Sequence, residues 1–416
     1  MSLRKPRPRN GPIAALDIGS TKIACFVARS EGQGTRVVGV GHQISRGVRA
    51  GAVVEMESAA EAITNAVYAA EQIAGETLKS VVVGTTCGNP ASHDVAVDVA
   101  ISGHEVNDAD LRRVAGNGRS QVAAPNRRLL HAIPVSYAID GSRGIRDPRG
   151  MCGERLGVRM HAVSAEESAL RNLEAVIGRC HLDVESLVVA PYAAGLACLV
   201  EDEMDLGATV IDMGGGVTSI SVFFDGNAVW TDAIPIGGGH VTSDIARGLS
   251  TPVAHAERMK TLYGSCMTAS ADEREIIDVP LVGEEEQDQA NHVPKSILTG
   301  IIRPRIEETF EHVRARLEAG GWHRSAGRRV VLTGGASQLN GVRELAGTIL
   351  DKQVRVGRPI RLQGLSDQTG GPAFAVCAGL IAHALAPQEA PRHVAAPAAA
   401  GSGWMGRVGL WLRENL

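Results

Sequence analysis

Two stretches of this 416-residue sequence share one pattern, and this repeat constrains the fold more than any other feature. The segments IAALDIGSTKIACFVAR and ATVIDMGGGVTSISVFF each consist of an apolar strand, an aspartate, a hydrophobic residue, a glycine, a small polar turn and a second strand. Asp17 precedes Gly19 by the same spacing by which Asp212 precedes Gly214. Two similar hairpins about half a chain apart predict a duplicated, pseudo-twofold architecture with a cleft between its halves.

The rest of the sequence predicts alternating strands and helices, which is typical of α/β layers. Residues 85–164 differ, because short alternating apolar runs, one small helix and the loop GSRGIRDPRGMCGER predict a compact α+β insertion. In SAAEAITNAVYAAEQIAGE the apolar periodicity predicts a helix that Ser58 caps and Gly75 ends. A later helical run contains Pro304, which is expected to kink or break it.

Composition excludes several classes of protein. The sequence is 44% hydrophobic and 21% charged, with a formal net charge of -4, which argues against a uniformly basic nucleic-acid-binding protein. No window approaches the ~18–20 apolar residues that a membrane-spanning helix needs. The seven cysteines form no C-x-x-C pair and the 13 histidines show no metal-binding spacing, so the sequence predicts neither a disulfide framework nor a metal cage.

Both ends of the sequence differ from its middle. Residues 1–11 form a basic arm that is expected to be disordered, and residues 387–403 form a linker rich in Ala, Pro and Gly. Residues 404–416 recover helical periodicity. On a helical wheel the apolar arc of this segment consists of Trp404, Val408, Trp411, Leu412 and Leu416, with Met405 beside it. The two cationic residues, Arg407 and Arg413, lie outside the arc.

The terminal helix is too short to span a bilayer but long enough to lie in its surface. Tryptophan suits the headgroup boundary, and each arginine near anionic lipid contributes about 1 kcal/mol. The alternative is a capping helix that docks on the protein's own surface. The linker argues against this alternative, because it gives the helix reach and freedom.

Four segments of the sequence are candidates for a phosphate and nucleoside site. The turn Gly19-Ser20-Thr21-Lys22 can face an anion with its backbone N–H groups, and Asp17 is placed to hold Mg²⁺ through water. The turn from Gly214 to Thr218 offers a matching cradle. In TGGAS (Thr333 to Ser337) the glycines permit close approach of the backbone, and Glu257 and Lys260 lie on one helix face.

The segments DIGSTK, DMGGGVT and TGGAS, in this order, resemble the phosphate-one, phosphate-two and adenosine motifs of the actin, sugar-kinase and heat-shock chaperone ATPase superfamily. Within it, the sequence resembles the FtsA family, the bacterial actin homologues of cell division. The best matching segments are HAIPVSYAIDGSRGIRDPRGMCGERL, GGGHVTSDIARGLSTP, RVVLTGGASQLNG and GWMGRVGLWLRENL. The resemblance covers about residues 12–386 and the tail.

This resemblance implies an α/β, actin-like, two-lobed fold with duplicated ribonuclease-H-like cores, an FtsA-type inserted subdomain and a C-terminal amphipathic helix. The implied parts are a basic disordered arm (1–11), the first-half core (12–84, 165–206 and 372–386), the inserted subdomain (85–164), the second-half core (207–239 and 329–371), the small subdomain of the second half (240–328), a flexible linker (387–403) and a membrane-targeting helix (404–416).

The resemblance also implies a function: an ATP-binding protein that polymerises on the membrane, tethers filaments of the tubulin-like protein FtsZ to the inner face of the cytoplasmic membrane at the division site, and helps recruit later division proteins. Its implied ligands are ATP and Mg²⁺, and its implied partners are the FtsZ C-terminal peptide, other copies of itself, membrane lipids and other division proteins, without nucleic acid. Arg305 and Glu308 match the family's positions for the FtsZ peptide, in the small subdomain that also supplies the adenine contacts.

The residues implied to bind ATP and magnesium come from all four segments and from the start of GGGHVTSD. They are Asp17, Gly19, Ser20, Thr21, Lys22, Asp212, Gly214, Gly215, Gly216, Thr218, Gly238, Gly239, Glu257, Lys260, Gly334, Gly335, Ala336 and Ser337. Asp17 and Asp212 are implied to hold Mg²⁺ through water.

One departure from the superfamily bears on hydrolysis. Many hydrolysing relatives carry an E-P-x-A-A segment whose Glu positions the attacking water, whereas the corresponding segment here begins with Ala190-Pro191. Loss of such a carboxylate typically lowers the rate ~10²–10⁴-fold. ATP is therefore expected to act as a ligand for conformation and assembly, with at most weak ATPase activity.

Two other functions use a similar fold. A small-molecule kinase would need an acidic base facing an acceptor pocket, and the alanine at position 190 argues against it. A pilus-assembly protein that binds a partner's peptide would not be expected to need the linker and the terminal amphipathic helix.

Overall fold

The fold is built on two five-stranded sheets, seen in a computed structural model that describes residues 11–31, 34–270, 272–283 and 291–386. The strands are β1 (Ile13–Ile18), β2 (Lys22–Glu31), β3 (Gly34–Ile44), β4 (Val48–Arg49), β5 (Ala52–Val53), β6 (Ser80–Thr85), β7 (Ala91–Ala100), β8 (Arg127–Ile139), β9 (Ser142–Ile145), β10 (Arg155–Glu166), β11 (Asp183–Val189), β12 (Ala208–Met213), β13 (Thr218–Phe224), β14 (Asn227–Ile234), β15 (Ile276–Val279), β16 (Asn291–Pro294), β17 (Arg329–Thr333) and β18 (Gln353–Val356).

The helices cover the faces of these sheets. They are α1 (Met56–Ala74), α2 (Asp108–Gln121), α3 (Glu167–Arg179), α4 (Ala190–Cys198), α5 (Glu201–Leu206), α6 (Gly238–Gly248), α7 (Val253–Tyr263), α8 (Lys295–Ala319), α9 (Trp322–Ser325), α10 (Val342–Leu350) and α11 (Ala375–Leu385). Two short 3₁₀ turns are also present: Gly335–Gln338 follows β17, and Pro372–Phe374 precedes α11 where the chain returns to the first half.

Both five-stranded sheets have the same topology. Their orders are β3-β2-β1-β6-β11 and β14-β13-β12-β17-β18. In each sheet three consecutive strands are antiparallel, and two later strands run parallel to the first of them. Ile18 pairs with Ile23 and Met213 pairs with Thr218, so each hairpin aspartate lies one residue before its strand ends. The predicted duplication and α/β fold class are confirmed.

A third sheet interrupts the first half. Strands β7, β10, β8 and β9 form a four-stranded antiparallel sheet in this order, and α2 packs on it around a separate apolar core. Asn107 caps α2, since its Oδ1 accepts the N–H of Ala109 at 2.8 Å. Strand β9 lies in the GSRGIRDPRGMCGER segment, for which the sequence predicted a loop.

Two local predictions about helices, the cap of α1 by Ser58 and a break of α8 at Pro304, are wrong, whereas a kink at Pro304 stays a prediction. Ser58 does not cap α1, because the helix already begins at Met56 after Glu55, and no side chain caps it. Pro304 does not break α8, which continues from Lys295 to Ala319. Pro304 faces solvent, while Ile302 and Ile306 beside it are buried in the core and hold the helix together. The predicted end of α1 at Gly75 is confirmed, with a left-handed φ of 69°.

Helices α4 and α11 cross between the two sheets at close range. A Cβ atom on Gly379 of α11 would lie 1.7 Å from the carbonyl oxygen of Ala193 in α4. On the other side of α4, a Cβ atom on Gly195 would lie 2.2 Å from the ring of Phe223 in β13. These small residues let one apolar cluster include residues from both sheets. The crossing therefore joins the two halves and brings the carboxyl ends of β1 and β12 to the same cleft.

Candidate functional site

The two hairpin turns have the same geometry and touch each other. The N–H of Gly19 donates to the carbonyl of Lys22 at 3.0 Å, and the N–H of Gly214 donates to that of Val217 at 2.9 Å. A Cβ atom on Gly215 would lie 2.3 Å from Cγ2 of Thr21. The repeated D-x-G spacing thus encodes a repeated tight turn, and glycine in the second turn permits the contact with the first.

A cavity of about 610 Å³ lies between the halves, beside these turns. It is lined by all but two of the residues that the sequence predicted to bind ATP and magnesium: Asp17, Gly19, Ser20, Thr21, Lys22, Asp212, Gly214, Gly215, Gly216, Gly238, Gly239, Glu257, Lys260, Gly334, Gly335 and Ala336. A Cβ atom on Gly335 would meet no protein atom within 4 Å, so this position borders open space.

The structure places Thr218 and Ser337 outside the lining of the cavity, and their predicted roles in binding stay predictions. Thr218 begins β13 and is completely buried in the second-half core. Ser337 is 3% exposed, and its Oγ donates to the carbonyl of Gly334 at 2.7 Å. Its hydroxyl therefore stabilises the TGGAS turn.

Two buried carboxyl groups and one lysine set the electrostatics of the cavity. Burial raises the pKa of Asp17 to about 6 and that of Asp212 to about 7, and the Lys22 ammonium partly opposes both shifts. The charge of Asp17 adds to the rise in the pKa of Asp212. Both carboxyl groups are therefore in an environment that disfavours their charged forms and that an added cation would relieve.

Lys22 also connects the cavity to the chain that joins the halves. Its Nζ donates to the carbonyl of Ala373 and lies 3.4 Å from the centre of the Phe374 ring. The neighbouring carbonyl of Pro372 accepts hydrogen bonds from the N–H of Gly334 and from the Thr333 hydroxyl, each at 3.1 Å. Two consecutive carbonyls thus bind to opposite halves.

The first residues of helix α6 pack against the second turn. The N–H groups of Gly238 and Gly239 donate to the carbonyls of Gly214 and Gly215 at 2.9 and 2.7 Å. Lys260 Nζ approaches the same helix start, donating to the carbonyl of Gly238 at 3.1 Å and to Glu257 at 2.7 Å. The predicted Glu257–Lys260 pair therefore exists and borders the cavity close to a helix N-terminus, a place that suits anions.

The sequence interpretation missed several lining residues. Thr85 ends β6 and Thr86 follows it, and the carboxyl end of β6 lies beside that of β1. The run KSVVVGTT contained the signal, because a buried parallel strand that ends in hydroxyl residues directs them to the cleft edge. Lys295 and Asn340 also line the cavity, and no local pattern in the sequence marks them.

Arg305 and Glu308 lie on α8 and contact each other. Arg305 Nε also donates to Asp244 of α6 at 2.6 Å, so this arginine joins two helices. The side chains of Arg305 and Glu308 are 28% and 45% exposed, which leaves both accessible to a partner. Between them, Ile306 is buried in the second-half core and also contributes to the lining of the cavity.

The linker 387–403, the membrane-targeting helix 404–416 and most of the basic arm lie outside the described residues. Among the residues that the structure does describe, no helix is long and apolar enough to cross a bilayer. Within the same ranges, no cluster of three or more His, Cys, Asp or Glu side chains forms a metal cage. A cation beside Asp17 and Asp212 would take its other ligands from water or a bound anion, as Mg²⁺ does.

Comparison with known families agrees with the resemblance seen in the motifs. Residues 209–379 match the family model of cell division protein FtsA, and residues 88–164 match that of the SHS2 domain inserted in FtsA. The second match falls on the third sheet and α2. Cell division protein FtsA of Agrobacterium fabrum is 44% identical over an alignment of 425 residues that covers 98% of this chain and 95% of that protein. That of Escherichia coli K12 is 31% identical over 416 residues, covering 97% and 98%.

Solved structures share the fold at low sequence identity. The PilM-PilN type IV pilus biogenesis complex gives a TM-score of 0.66 at 18% identity, covering 91% of this chain and 100% of that one. MreB5 of Spiroplasma citri bound to ADP gives 0.54 at 14% identity, covering 89% and 95%. At these identities the pilus protein shows the architecture alone. The chain belongs to the FtsA family of cell-division proteins and has an actin-like fold that carries the inserted SHS2 domain.

Proposed function

We propose that this protein binds ATP with Mg²⁺ between its halves, polymerises on the inner face of the cytoplasmic membrane, tethers FtsZ filaments there and helps recruit later division proteins. Membership of the FtsA family supports the role in division. The observation that carries nucleotide binding is the pair of facing turns with the buried carboxyl groups of Asp17 and Asp212 in one cavity.

The cavity offers separate partners for each part of a nucleotide. Backbone N–H groups of the two turns bind the phosphates, and the N-terminal end of the α6 dipole favours their charge. Asp17 and Asp212 hold Mg²⁺ through water, and the ion neutralises phosphate charge. Gly335 borders the open part of the cavity and admits the nucleoside. The structures of Spiroplasma citri MreB5 bound to ADP and to AMPPNP show that a protein of this fold takes adenine nucleotides.

The membrane and FtsZ contacts are proposed from the sequence and the family. The segment 404–416 supplies an apolar arc with two tryptophans and two arginines outside it. One short helix binds a bilayer weakly, so a filament that presents many copies gains attachment by avidity. Arg305 and Glu308 present accessible charges to the FtsZ peptide on the small subdomain. ATP-dependent polymerisation therefore controls how long the protein stays on the membrane.

Substitution at Gly335 tests the nucleotide site without disturbing the fold. A Cβ atom at this position would meet no protein atom within 4 Å, so Gly335→Leu is expected to fold normally and to extend towards the cavity that Gly335 lines. Its affinity for Mg-ATP, measured by calorimetry, is expected to fall by at least about 100-fold, since the side chain takes the ligand's place. Gly335→Ala is the matched smaller substitution, and its affinity for Mg-ATP is expected to lie between those of the wild type and the leucine variant. Wild-type affinity in the leucine variant would remove Gly335 from the site.

The raised pKa values predict a pH-dependent cost of folding in the absence of nucleotide. Because Asp212 keeps its proton to about pH 7 when folded, stability falls as pH rises from about 4 towards 7, where the unfolded carboxyl is already ionised. Asp212→Asn is therefore expected to raise the free energy of unfolding by roughly 1–3 kcal/mol near pH 7 and much less near pH 4.

Urea denaturation across this pH range measures the effect, with exposed Asp225→Asn as the control. Mg-ATP is expected to stabilise the wild-type protein and the control, and not Asp212→Asn. A variant that is less stable than the wild type at neutral pH would contradict this account of Asp212.

Hydrolysis is expected to be slow because Ala190 lines the cavity at the start of α4, at the position where hydrolysing relatives carry a carboxylate. Ala190→Glu is expected to raise the turnover of ATP by about 10-fold or more, whereas the equally large Ala190→Gln is not. Phosphate release under single-turnover conditions measures both. Wild-type turnover as fast as that of the chaperone ATPases would show that another acid, such as Asp212, performs this role.

Sedimentation with vesicles and FtsZ tests the tethering function. With Mg-ATP, the wild-type protein is expected to carry FtsZ into the vesicle pellet. Deletion of 404–416, or Trp411→Glu, is expected to leave both proteins in the supernatant, because the apolar arc is lost. The Arg305→Glu variant is expected to pellet with the vesicles but to leave FtsZ in the supernatant, because its affinity for the FtsZ peptide is reduced about 10-fold.

The matched control for Arg305 is Arg303→Glu, a neighbour on α8 that pairs with Glu307. This control is expected to pellet with FtsZ. Pelleting of the tail variants with the vesicles would place the anchor elsewhere, and unchanged peptide affinity in Arg305→Glu would remove that residue from the partner site.

A further inference from the structure

The inserted subdomain contacts both halves of the molecule along one strand. His131 and Ile133 lie on one face of β8, because alternate residues of a strand share a face, and Val135 follows them at a β-bulge. Ile133 packs against the cluster around α4 and α11 in the cleft between the halves. The carbonyl of Val135 accepts a hydrogen bond from Asn227 Nδ2 of the second half at 3.5 Å. The subdomain is therefore connected to the core on two sides.

On the second-half side, His161 of β10 forms the buried contact. It is 2% exposed, and its Nδ1 lies 3.0 Å from the carbonyl oxygen of Ala228 in β14. A carbonyl only accepts, so Nδ1 carries the proton and Nε2 accepts from the Ser92 hydroxyl at 2.8 Å. Ser92 Oγ in turn accepts the N–H of Thr231 at 3.4 Å. Each group in this chain has a defined donor or acceptor role.

On the first-half side, the corresponding contact is His131. It is 8% exposed, and its Nε2 accepts the backbone N–H of Val189 at 3.0 Å. Its ring lies 5.2 Å from that of Tyr192 in α4 and 5.9 Å from that of His383 in α11, measured between centres. Burial, with smaller effects from neighbouring histidines, holds the pKa of His131 well below its ordinary value. The imidazole is thus a neutral acceptor in a fixed orientation.

The backbone that His131 binds belongs to the wall of the cavity. Val189 ends β11 and precedes α4, which has no side-chain cap of its own. Val189 pairs with Thr85 in the sheet, and the next residue is Ala190; both Thr85 and Ala190 line the cavity. An imidazole from the inserted subdomain therefore supplies the partner for the backbone at the start of this helix.

We propose that His131 is a positioning residue that fixes the first turn of α4 at the cavity wall and couples nucleotide binding to the position of the inserted subdomain. This inference rests on the proposed binding of nucleotide. A ligand that shifts Ala190 also shifts Val189 and its hydrogen bond to His131. Because β8 is hydrogen-bonded to β10 along its length, the sheet carries this shift to the contact of His161 with the second half.

Two substitutions separate this role from simple packing. His131→Leu keeps the apolar contacts but leaves the buried N–H of Val189 without a partner, and His131→Gln keeps an acceptor. The affinity for Mg-ATP, measured by calorimetry, is expected to fall about 10-fold in the leucine variant and less than about 3-fold in the glutamine variant. Rescue by glutamine distinguishes the hydrogen bond from the volume of the ring.

A distance measurement tests the coupling directly. Cys152 of the inserted subdomain is exposed, whereas the other six cysteines are buried or half-buried. Spin labels on Cys152 and on a Glu318→Cys substitution at the exposed end of α8 report the separation of the subdomain from the second half. Mg-ATP is expected to change this separation in the wild-type background and in His131→Gln, and to leave it unchanged in His131→Leu.

Thermal unfolding monitored by circular dichroism establishes that each variant folds, and His131→Asn, whose amide does not reach Val189, replaces the leucine variant if that one does not. Wild-type affinity together with a wild-type label response in the leucine variant overturns the proposal. A wild-type protein that binds Mg-ATP without any change in label separation also overturns it. A wild-type protein that binds no Mg-ATP overturns the proposed nucleotide function itself.

Discussion

Helices α4 and α11 cross so closely between the two sheets that a Cβ atom on Gly379 would lie 1.7 Å from the carbonyl oxygen of Ala193. Interiors pack at the density of organic crystals, so such an approach is open only to small residues. The crossing allows one apolar cluster to serve both sheets. It also fixes the two hairpin turns against each other, and the cavity, its paired aspartates and the contact with the inserted subdomain all depend on that placement.

The sequence alone predicts those parts of the candidate site whose positions depend on local backbone geometry. The spacing of Asp17 to Gly19 recurs at Asp212 because the same tight turn, with the same hydrogen bond, recurs in both halves. Residues whose roles depend on the tertiary arrangement could not be predicted in this way. Thr218 belongs to the repeated motif but is completely buried, and the hydrogen bond from Lys260 to Thr242 at 2.9 Å depends on how helices α7 and α6 pack on each other.

Local rules about helix ends were overridden where packing supplied more free energy than propensity. Pro304 removes one backbone donor from α8, yet the buried side chains on either side of it keep the helix continuous. Helix α1 begins before Ser58 although no side chain caps its start, since its buried alanines pack on the sheet. The family resemblance added information because it implied a tertiary arrangement, which periodicity and capping rules cannot predict.

The dipeptide Pro372–Ala373 connects the two halves through its consecutive carbonyls, one bound by Thr333 and Gly334 and the other by Lys22. Lys22 is the only one of these donors that carries a charge. An anion that attracts its ammonium competes with the Ala373 carbonyl and the Phe374 ring, and the measured affinity then contains the free energy of breaking those contacts. An anion in the cavity and the connection between the halves would therefore compete for a single lysine.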